Sequence, residues 1–410
     1  MLQPATPEDL SFIEDGIRRW KLDGERVTID QFWVWREDGN IHAFGRIKPY
    51  GEGVFELGAV GVSDAARGRG LGKTMVRGLI DRFPVRDVYI TTDLRGYFEP
   101  FGFREVAEVP AAIADKVARV CGSLRSGVRA LVLRKVGVDL VDAFTATRGE
   151  GNRAGVVLDA DGLDDATMGA IAKAVGAAET AFLRPGLRLR YFSPATEIPF
   201  CGHATLATIH RLGELGLLAP GRHVIECPAG RVEVELEASG RAWLTTPQYP
   251  WVESPVAEAE LFRLLGGTPA MRDPELPILR AGVKLFVPFA RRADLFALSP
   301  RWEAIRALAP AHGIEGIFAF TRETIEPESV VHGRFFAPAM GILEDPVTGA
   351  ANGPMAAYLA RQGVLRVPAR ARAEQGDAMG KPGRIDYDVT AERARIGGVA
   401  VTVMSGTMHV

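Results

Sequence analysis

The chain is short of several things, and each shortage removes a class of protein. It has three cysteines in 410 residues, Cys121, Cys201 and Cys227. They are too few and too far apart for a disulfide framework, and they lack zinc-ligand spacing. No metal is expected. Charge of one sign is also missing. The formal net charge is -2 with acids and bases interspersed, which argues against a nucleic-acid partner or an anionic membrane surface. No apolar run approaches the ~18–20 residues that span a bilayer. The first residues lack a basic stretch followed by an apolar one, so no signal peptide is expected and the cytoplasm is the default location. Low-complexity tracts and short-period repeats are absent, which excludes solenoids and arrays.

Apolar residues are plentiful, at 47%, enough for real cores. The length implies two or three domains. Gln31 to Lys48 alternates apolar and polar residues around Asp38-Gly39, a hairpin pattern. Val54 to Val62 reads as a strand. After it comes Arg67-Gly-Arg-Gly-Leu-Gly-Lys73, and then Leu71, Met75, Val76, Leu79, Ile80 and Phe83 recur at helical spacing. Val88–Thr92 and Arg129–Lys135 read as further strands, and Val138–Phe144 as the first strand of a second part. The junction falls near 136–139 without a long linker, which predicts docked domains. Helices are expected at Asp165–Val175 and Ala204–Leu215. A Pro-rich region, Pro247–Pro277, is expected to interrupt the second part and join two lobes.

A strand, a Gly-rich turn and an amphipathic helix form an anion-binding layout. Successive backbone N–H groups of Gly68, Gly70, Leu71 and Gly72 can face a pyrophosphate, and Arg67, Arg69 and Lys73 add positive charge. On its own such a turn is as often a tight strand-to-helix connection. The run resembles the acetyl-CoA motif of GNAT-type N-acetyltransferases, Q/R-x-x-G-x-G/A, read here at Arg67, Gly70 and Gly72. The aromatic segment Tyr97-Phe-Glu-Pro-Phe-Gly-Phe103 fits the same family. This resemblance covers residues 1–136 and implies a GNAT fold, acetyl-CoA as cofactor, and acetyl transfer to an amine. It offers Glu56 as base and Tyr97 as acid. For Glu56 an outward-facing strand carboxylate is an equal reading. Phe98 stands where the family usually has its tyrosine.

Four segments of the second part carry chemistry: Gly151-Asn152, Ala178-Glu179-Thr-Ala-Phe182, Glu197-Ile-Pro-Phe-Cys-Gly-His-Ala-Thr205 and Glu344-Asp-Pro-Val-Thr-Gly-Ala-Ala-Asn-Gly353. Glu374-Gln-Gly-Asp-Ala-Met-Gly380 adds a fifth, Gly-flanked polar turn. A histidine and several carboxylates beside tight Gly turns suit the movement of a proton on and off carbon. In this order the segments resemble the PhzF-like (phenazine biosynthesis) isomerase/epimerase family over residues 139–410. The resemblance implies an α/β (α+β) chain with a diaminopimelate-epimerase-like fold of two similar lobes, about 139–250 and 251–410. The site would lie in the cleft between the lobes.

The resemblance makes Glu179 the acid/base, because it matches the Glu of the family's S/A-E-T-x-F segment. Its apolar neighbours would raise its pKa towards neutrality. Otherwise it would be a helix-end carboxylate. His203 and Asp345 would flank the substrate; the alternatives are a pinned turn and a helix cap near Thr348. Gly202, Gly349 and Gly353 would present N–H groups to a substrate carboxylate. Ala350 would also line the substrate; some relatives have Ser there, so one hydrogen bond to the substrate would be missing. Asn152 would hold the ligand from the other wall. The usual Gly-Asn-Pro becomes Gly-Asn-Arg153, a cation near the cleft or pointing to water. Related epimerases and proline racemases use two cysteines. Cys201 matches the first, but Glu344–Gly353 holds none, so a two-thiol mechanism is not expected and Cys201 reads as a packed residue. Glu197 is expected to brace its turn.

The combined expectation is an isomerase that relocates a proton on a small carboxylate- or amino-acid-like molecule. It needs no cofactor in that domain and is a homodimer by resemblance to both families. An N-acetyltransferase whose second part only binds substrate is a further reading. A non-catalytic sensor of CoA and a small acid is another.

Overall fold

In a computed structural model the chain is described over residues 1–51, 53–106, 108–121 and 127–410, with only the backbone given for Val120 and Cys121. The chain divides into two compact units, Met1–Val136 with Thr407–Val410, and Gly137–Gly406. The last four residues, read from the sequence as part of the second domain, therefore group with the first.

In the first unit the hairpin forms at the expected turn, with Phe32–Glu37 antiparallel to Asn40–Gly51. The strand Val54–Val62 pairs with Asn40–Gly51 and bulges between Phe44 and Arg46, where Ala59 adopts a left-handed φ of 45°. The helix Leu71–Arg82 buries Leu71, Met75, Val76, Leu79 and Ile80, the stripe its 3.6-residue spacing sets. They pack on Leu57, Val88, Ile90, Leu131 and Leu133. Strands Val54–Val62 and Asp87–Thr92 run parallel but pair only at Glu56 and Tyr89. A cavity of about 140 Å³ opens where they part, lined by Glu56, Thr91, Phe98 and Lys116.

The strands expected at Arg129–Lys135 and Val138–Phe144 are one strand, Arg129–Ala143. Its extended residues give the chain no reason to break at Val136-Gly137. The Pro-rich region also differs from expectation. It contains the strand Trp251–Glu253 and the helix Glu258–Leu265, which buries Leu261, Phe262, Leu264 and Leu265. The prolines flank these elements rather than interrupt them, as proline's missing N–H requires.

The second unit is built around two buried helices. Gly202–Glu214 buries nine of its residues, and strands Asn152–Val157 and Glu179–Arg184 pack on it. Gly349–Arg361 is buried in the same way beneath Gly383–Val389 and Ala394–Gly398. Small residues on every side let both helices be surrounded by strands. The two halves of the unit join through Ala242–Thr245, which pairs antiparallel with Ala394–Gly398. One apolar core runs through both halves, including Val156, Leu206, Leu244, Met355, Tyr387 and Ile396, and a second, including Phe262, Val287 and Phe336, lies within the second half.

At the far end of the chain the Arg134 N–H donates to the Val410 carbonyl at 2.8 Å, and the Val410 N–H returns the bond at 2.9 Å. Deleting Thr407–Val410 leaves Arg134 without its acceptor. The deletion is expected to destabilise the first unit by about 1–2 kcal/mol. Amide exchange by mass spectrometry should show faster exchange around Leu131–Arg134, and unchanged protection there would contradict this reading.

Candidate functional site

The second unit brings most of the expected residues together. Glu179 is the first residue of strand Glu179–Arg184, not the end of a helix, because Gly176 caps the preceding helix in a left-handed conformation. Cys201 caps the helix Gly202–Glu214, and His203 is its second residue, so neither sits in a free turn. Asp345 ends the strand Ile342–Asp345 and Thr348 precedes the helix Gly349–Arg361. The N-termini of the two buried helices meet, since a β-carbon on Gly202 would lie 3.6 Å from the Gly349 Cα. Their first N–H groups have no partners within the helices, so two positive helix ends converge on one place.

The side chains form one hydrogen-bonded cluster. His203 Nε2 lies 3.3 Å from Glu179 Oε2. The Cys201 thiol is 3.8 Å from Glu179 Oε2 and 3.4 Å from His203 Nδ1. The Asn152 amide nitrogen donates to Asp345 Oδ1 at 2.8 Å and to the Val347 carbonyl at 2.9 Å, and stands 3.3 Å from His203 Nδ1. Thr348 Oγ1 donates to Asp345 Oδ2 at 2.6 Å.

Burial sorts the charges of this cluster. It is the main reason that Glu179 is raised to about 7, and the negative charge of Asp345 adds to the effect. Burial also raises Asp345 to about 6, against hydrogen bonds from Thr348 and Asn152 that favour its ionised form. The same desolvation lowers His203 to about 4, so its ring is neutral at pH 7. Cys201 is pushed well above its ordinary value, first by burial and then by Glu179, and stays a thiol. Its place is that of a packed donor, in line with the missing second cysteine. Donor atoms of Glu179, Cys201 and His203 lie within 4.8 Å of one another, and among the described residues this is the one such group of cation-ligating type. Within the group the Cys201 thiol hydrogen-bonds to Glu179 and to His203 Nδ1.

Four expectations are corrected. Asn152 does not offer its N–H groups to a ligand, because both amide protons go to Asp345 and Val347. It is a brace, placed by Gly151, whose φ is 62° and where a β-carbon would come 2.2 Å from the Ala143 carbonyl oxygen. Gly353 is inside the helix, where its N–H bonds the preceding turn. It is small because a β-carbon would meet Thr246 at 2.4 Å. Ala350, by contrast, is exposed at the helix start with its N–H unclaimed by the helix. Arg153 is no free cation, because Asp142 holds it at 2.8 and 3.0 Å. Asp345 does not cap a helix; it accepts from the Thr348 hydroxyl. Glu197 does brace its turn, through two 2.6 Å bonds from Arg190.

Sequence reasoning gave no role to Thr348 or Gln375. Both lie inside segments singled out for their glycines and acids. A polar residue buried beside a Gly turn was the available signal.

In the first unit, Gly68 and Gly70 adopt left-handed φ values of 78° and 80°, which shape the turn into the helix. Leu71 is buried while Lys73 is exposed on the first helical turn. Arg67 pairs with Asp64 at 3.1 Å and Arg69 with Glu37 at 2.6 Å, both exposed. Glu56 is not an outward-facing carboxylate. It is 1% exposed and accepts from Lys116 at 2.6 and 2.7 Å, Tyr50 at 2.9 Å and Thr91 at 2.5 Å. Burial opposes the charge on Lys116, but Glu56 and Asp23 overcome it and raise its pKa. The Tyr97 hydroxyl is turned to the Gly-rich turn, 2.8 Å from where a Gly72 β-carbon would be. Phe98, one residue on, lines the cavity with Glu56.

Residues 141–406 match the family described as phenazine biosynthesis-like protein. The chain belongs to the PhzF family. It is 38% identical over 285 residues to the uncharacterized isomerase YddE of Escherichia coli K12, covering 64% of this chain and 94% of that protein. Against the uncharacterized isomerase YfhB of Bacillus subtilis it is 34% identical over 278 residues, covering 65% and 93%. Its structure resembles the PhzF-family phenazine biosynthesis protein of Bacillus anthracis, with a TM-score of 0.63 and 30% identity over 68% of this chain and all of that one. Residues 3–103 match the acetyltransferase (GNAT) family, so a GNAT domain precedes the PhzF domain.

The raised carboxyls have a cost in stability with a definite sign. The folded state holds the Glu179 proton more tightly than the unfolded chain, from about 4.5 up to about 7. The cost is therefore absent below that window and fully present above it. Glu179→Gln is expected to stabilise the protein by about 2–3 kcal/mol at pH 8 and by almost nothing at pH 4. Thermal unfolding of both proteins at the two pH values measures the difference, and equal effects at both would refute it.

Proposed function

We propose that the PhzF domain relocates a proton between two carbons of a small carboxylate-bearing metabolite, of amino-acid or amino-cyclohexadiene type, with Glu179 as the group that carries it. The observation that carries this reading is a buried carboxyl raised to about 7 beside a second raised to about 6, both within one hydrogen-bonded cluster. As a carboxylate Glu179 takes a proton from one carbon. As an acid it returns the proton to another carbon on the same face. The charge that develops is delocalised into the substrate carboxylate, which lies at the converging helix ends near Gly202, Gly349 and Ala350. Those N–H groups are fixed before the reaction, so they stabilise the charge without reorganising. Neutral His203 gives or accepts a hydrogen bond without adding a charge, and Asp345 holds a negative charge that keeps the Glu179 proton transferable. The reading calls on no cofactor in this domain.

For the GNAT domain we infer acyl-CoA binding at the Arg67–Lys73 turn, with acetyl-CoA the expected form. The alternative of acetyl transfer as the main activity has a specific obstacle. Glu56, the base it would use, is engaged by four donated hydrogen bonds, two of them from Lys116. Tyr97 faces the Gly-rich turn instead of Glu56.

The test is incubation in D₂O with a panel of amino acids and cyclic amino acids, reading deuterium uptake by mass spectrometry. Uptake by one compound class without CoA, reduced roughly 10²-fold or more in Glu179→Gln, is the expected result. Uptake that survives the substitution, or that needs acetyl-CoA, would overturn the assignment. The pH dependence has a sign as well. Below about 6 both carboxyls hold protons and neither can act as base; above about 7 Glu179 starts as the carboxylate that takes the proton and, having taken it, is the acid that returns it. Exchange should rise through that range and level off above it. A rate that is flat from pH 5 to pH 9 would contradict the raised carboxyl.

A further inference from the structure

Gln375 is fully buried behind the candidate site, and every hydrogen-bonding position of its amide is used. Nε2 donates to the Asp345 carbonyl at 2.9 Å and to Thr348 Oγ1 at 3.0 Å. Oε1 accepts from the Thr348 N–H at 3.1 Å and from Asn352 Nδ2 at 2.9 Å. Asn352 is itself oriented by Tyr387, whose hydroxyl donates to Asn352 Oδ1 at 2.6 Å.

These bonds permit one direction only. Turning the Gln375 amide over would set its NH₂ against the Thr348 N–H and the Asn352 NH₂, two donors facing a donor. With Nε2 on Thr348 Oγ1, the threonine oxygen is an acceptor on that side. Its single proton must then go to Asp345 Oδ2, at 2.6 Å. A hydroxyl without such a partner rotates freely between donating and accepting. Tyr387, Asn352, Gln375 and Thr348 therefore form a directed chain that ends on the Asp345 carboxylate.

We propose that Gln375 is a positioning residue for proton transfer, fixing the Thr348 hydroxyl as a donor to Asp345 and so holding Asp345 in its ionised form. The inference rests on the reading of Glu179 and Asp345 as the proton-transfer pair. Its reach beyond that pair comes from geometry: the charge on Asp345 is what raises Glu179 further, so a residue that touches neither carboxyl sets both. The groups facing Asp345 are the Asn152 amide, the Thr348 hydroxyl, the acid of Glu344 on the same strand, Lys381, Glu179 and the Cys201 thiol. Glu344 is held by Arg334 at 2.7 and 2.8 Å, an arrangement a Gln375 substitution leaves alone. A change in Asp345 on altering Gln375 passes through the Thr348 hydroxyl or through the Asp345 backbone carbonyl that Gln375 also holds, and the Thr348→Val background tells the two routes apart.

The test reads the carboxyl itself and needs no substrate. Protein carrying ¹³C at the aspartate carboxyl carbon is titrated by NMR, with the Asp345 signal assigned by its loss in Asp345→Asn. Gln375→Met, close in shape and uncharged, is expected to move the Asp345 midpoint upward by about one pH unit, the scale of one lost hydrogen bond to a carboxylate. Thr348→Val should give a shift of the same sign. In the Thr348→Val background, Gln375→Met should add nothing, because the chain is already cut. A residue that only packs would lower the melting temperature and leave the midpoint in place. An unchanged midpoint, or a full additional shift in the Thr348→Val background, overturns the proposal. Should Gln375→Met not fold, Gln375→Glu retains the acceptor oxygen, and the part of its shift that depends on Thr348 is the quantity read. Deuterium exchange by the unaltered protein is scored separately, so failure of the proton-transfer reading and failure of the relay give different results.

Discussion

One amide group holds the candidate site together. Asn152 lies on a strand of the first half of the PhzF domain, and its two amide protons go to Asp345 and Val347 in the second half. That clasp sits where two helix N-termini meet, an arrangement with an inherent electrostatic conflict. Two positive helix ends repel unless something negative lies between them. Asp345 supplies a negative group at that point, and a substrate carboxylate would supply another. The Gly151 turn, the absence of side chains at Gly202 and Gly349, and the burial of Asp345 all serve this one meeting.

The same dry environment acts in opposite senses on the residues around it. Withdrawal of water lifts the two carboxyls into the neutral range, suppresses the charge on His203, and keeps Cys201 a thiol. A thiolate mechanism and a histidinium mechanism are both disfavoured by the burial that favours carboxylate chemistry. Selection among possible acid/base groups thus comes from solvation as much as from which residues are present. The GNAT domain uses burial differently. There Glu56 and Lys116 are sunk together and satisfy each other, a neutralised pair instead of a poised acid.

Much of this was legible beforehand, for identifiable reasons. Helical spacing gave Leu71–Arg82 and Asp165–Val175 nearly to the residue, because each has an apolar stripe and a glycine at a boundary. Glu179, His203 and Asp345 were legible because rare polar types beside Gly turns stand out, and family motifs placed them in order. What was not legible depended on partners distant in sequence. Nothing local says that the Asn152 amide is spent on residues nearly two hundred positions later, or that Gly353 is small because of Thr246. Nothing in the sequence around Lys116 signals that the fold sets it against Glu56. Gln375 was passed over for the glycines and acids around it, since a single amide carries no pattern of its own. The Pro-rich stretch misled because prolines mark the edges of a helix as readily as a linker.

The pairing of Arg134 with Val410 has a consequence for how the chain comes into being. Domains made first on a ribosome ordinarily fold first. Here the edge of the first unit is completed by residues synthesised only after the whole of Gly137–Gly406. Part of that strand edge stays uncapped while the neighbouring domain is translated, so closure of the older domain's edge follows synthesis of the younger one.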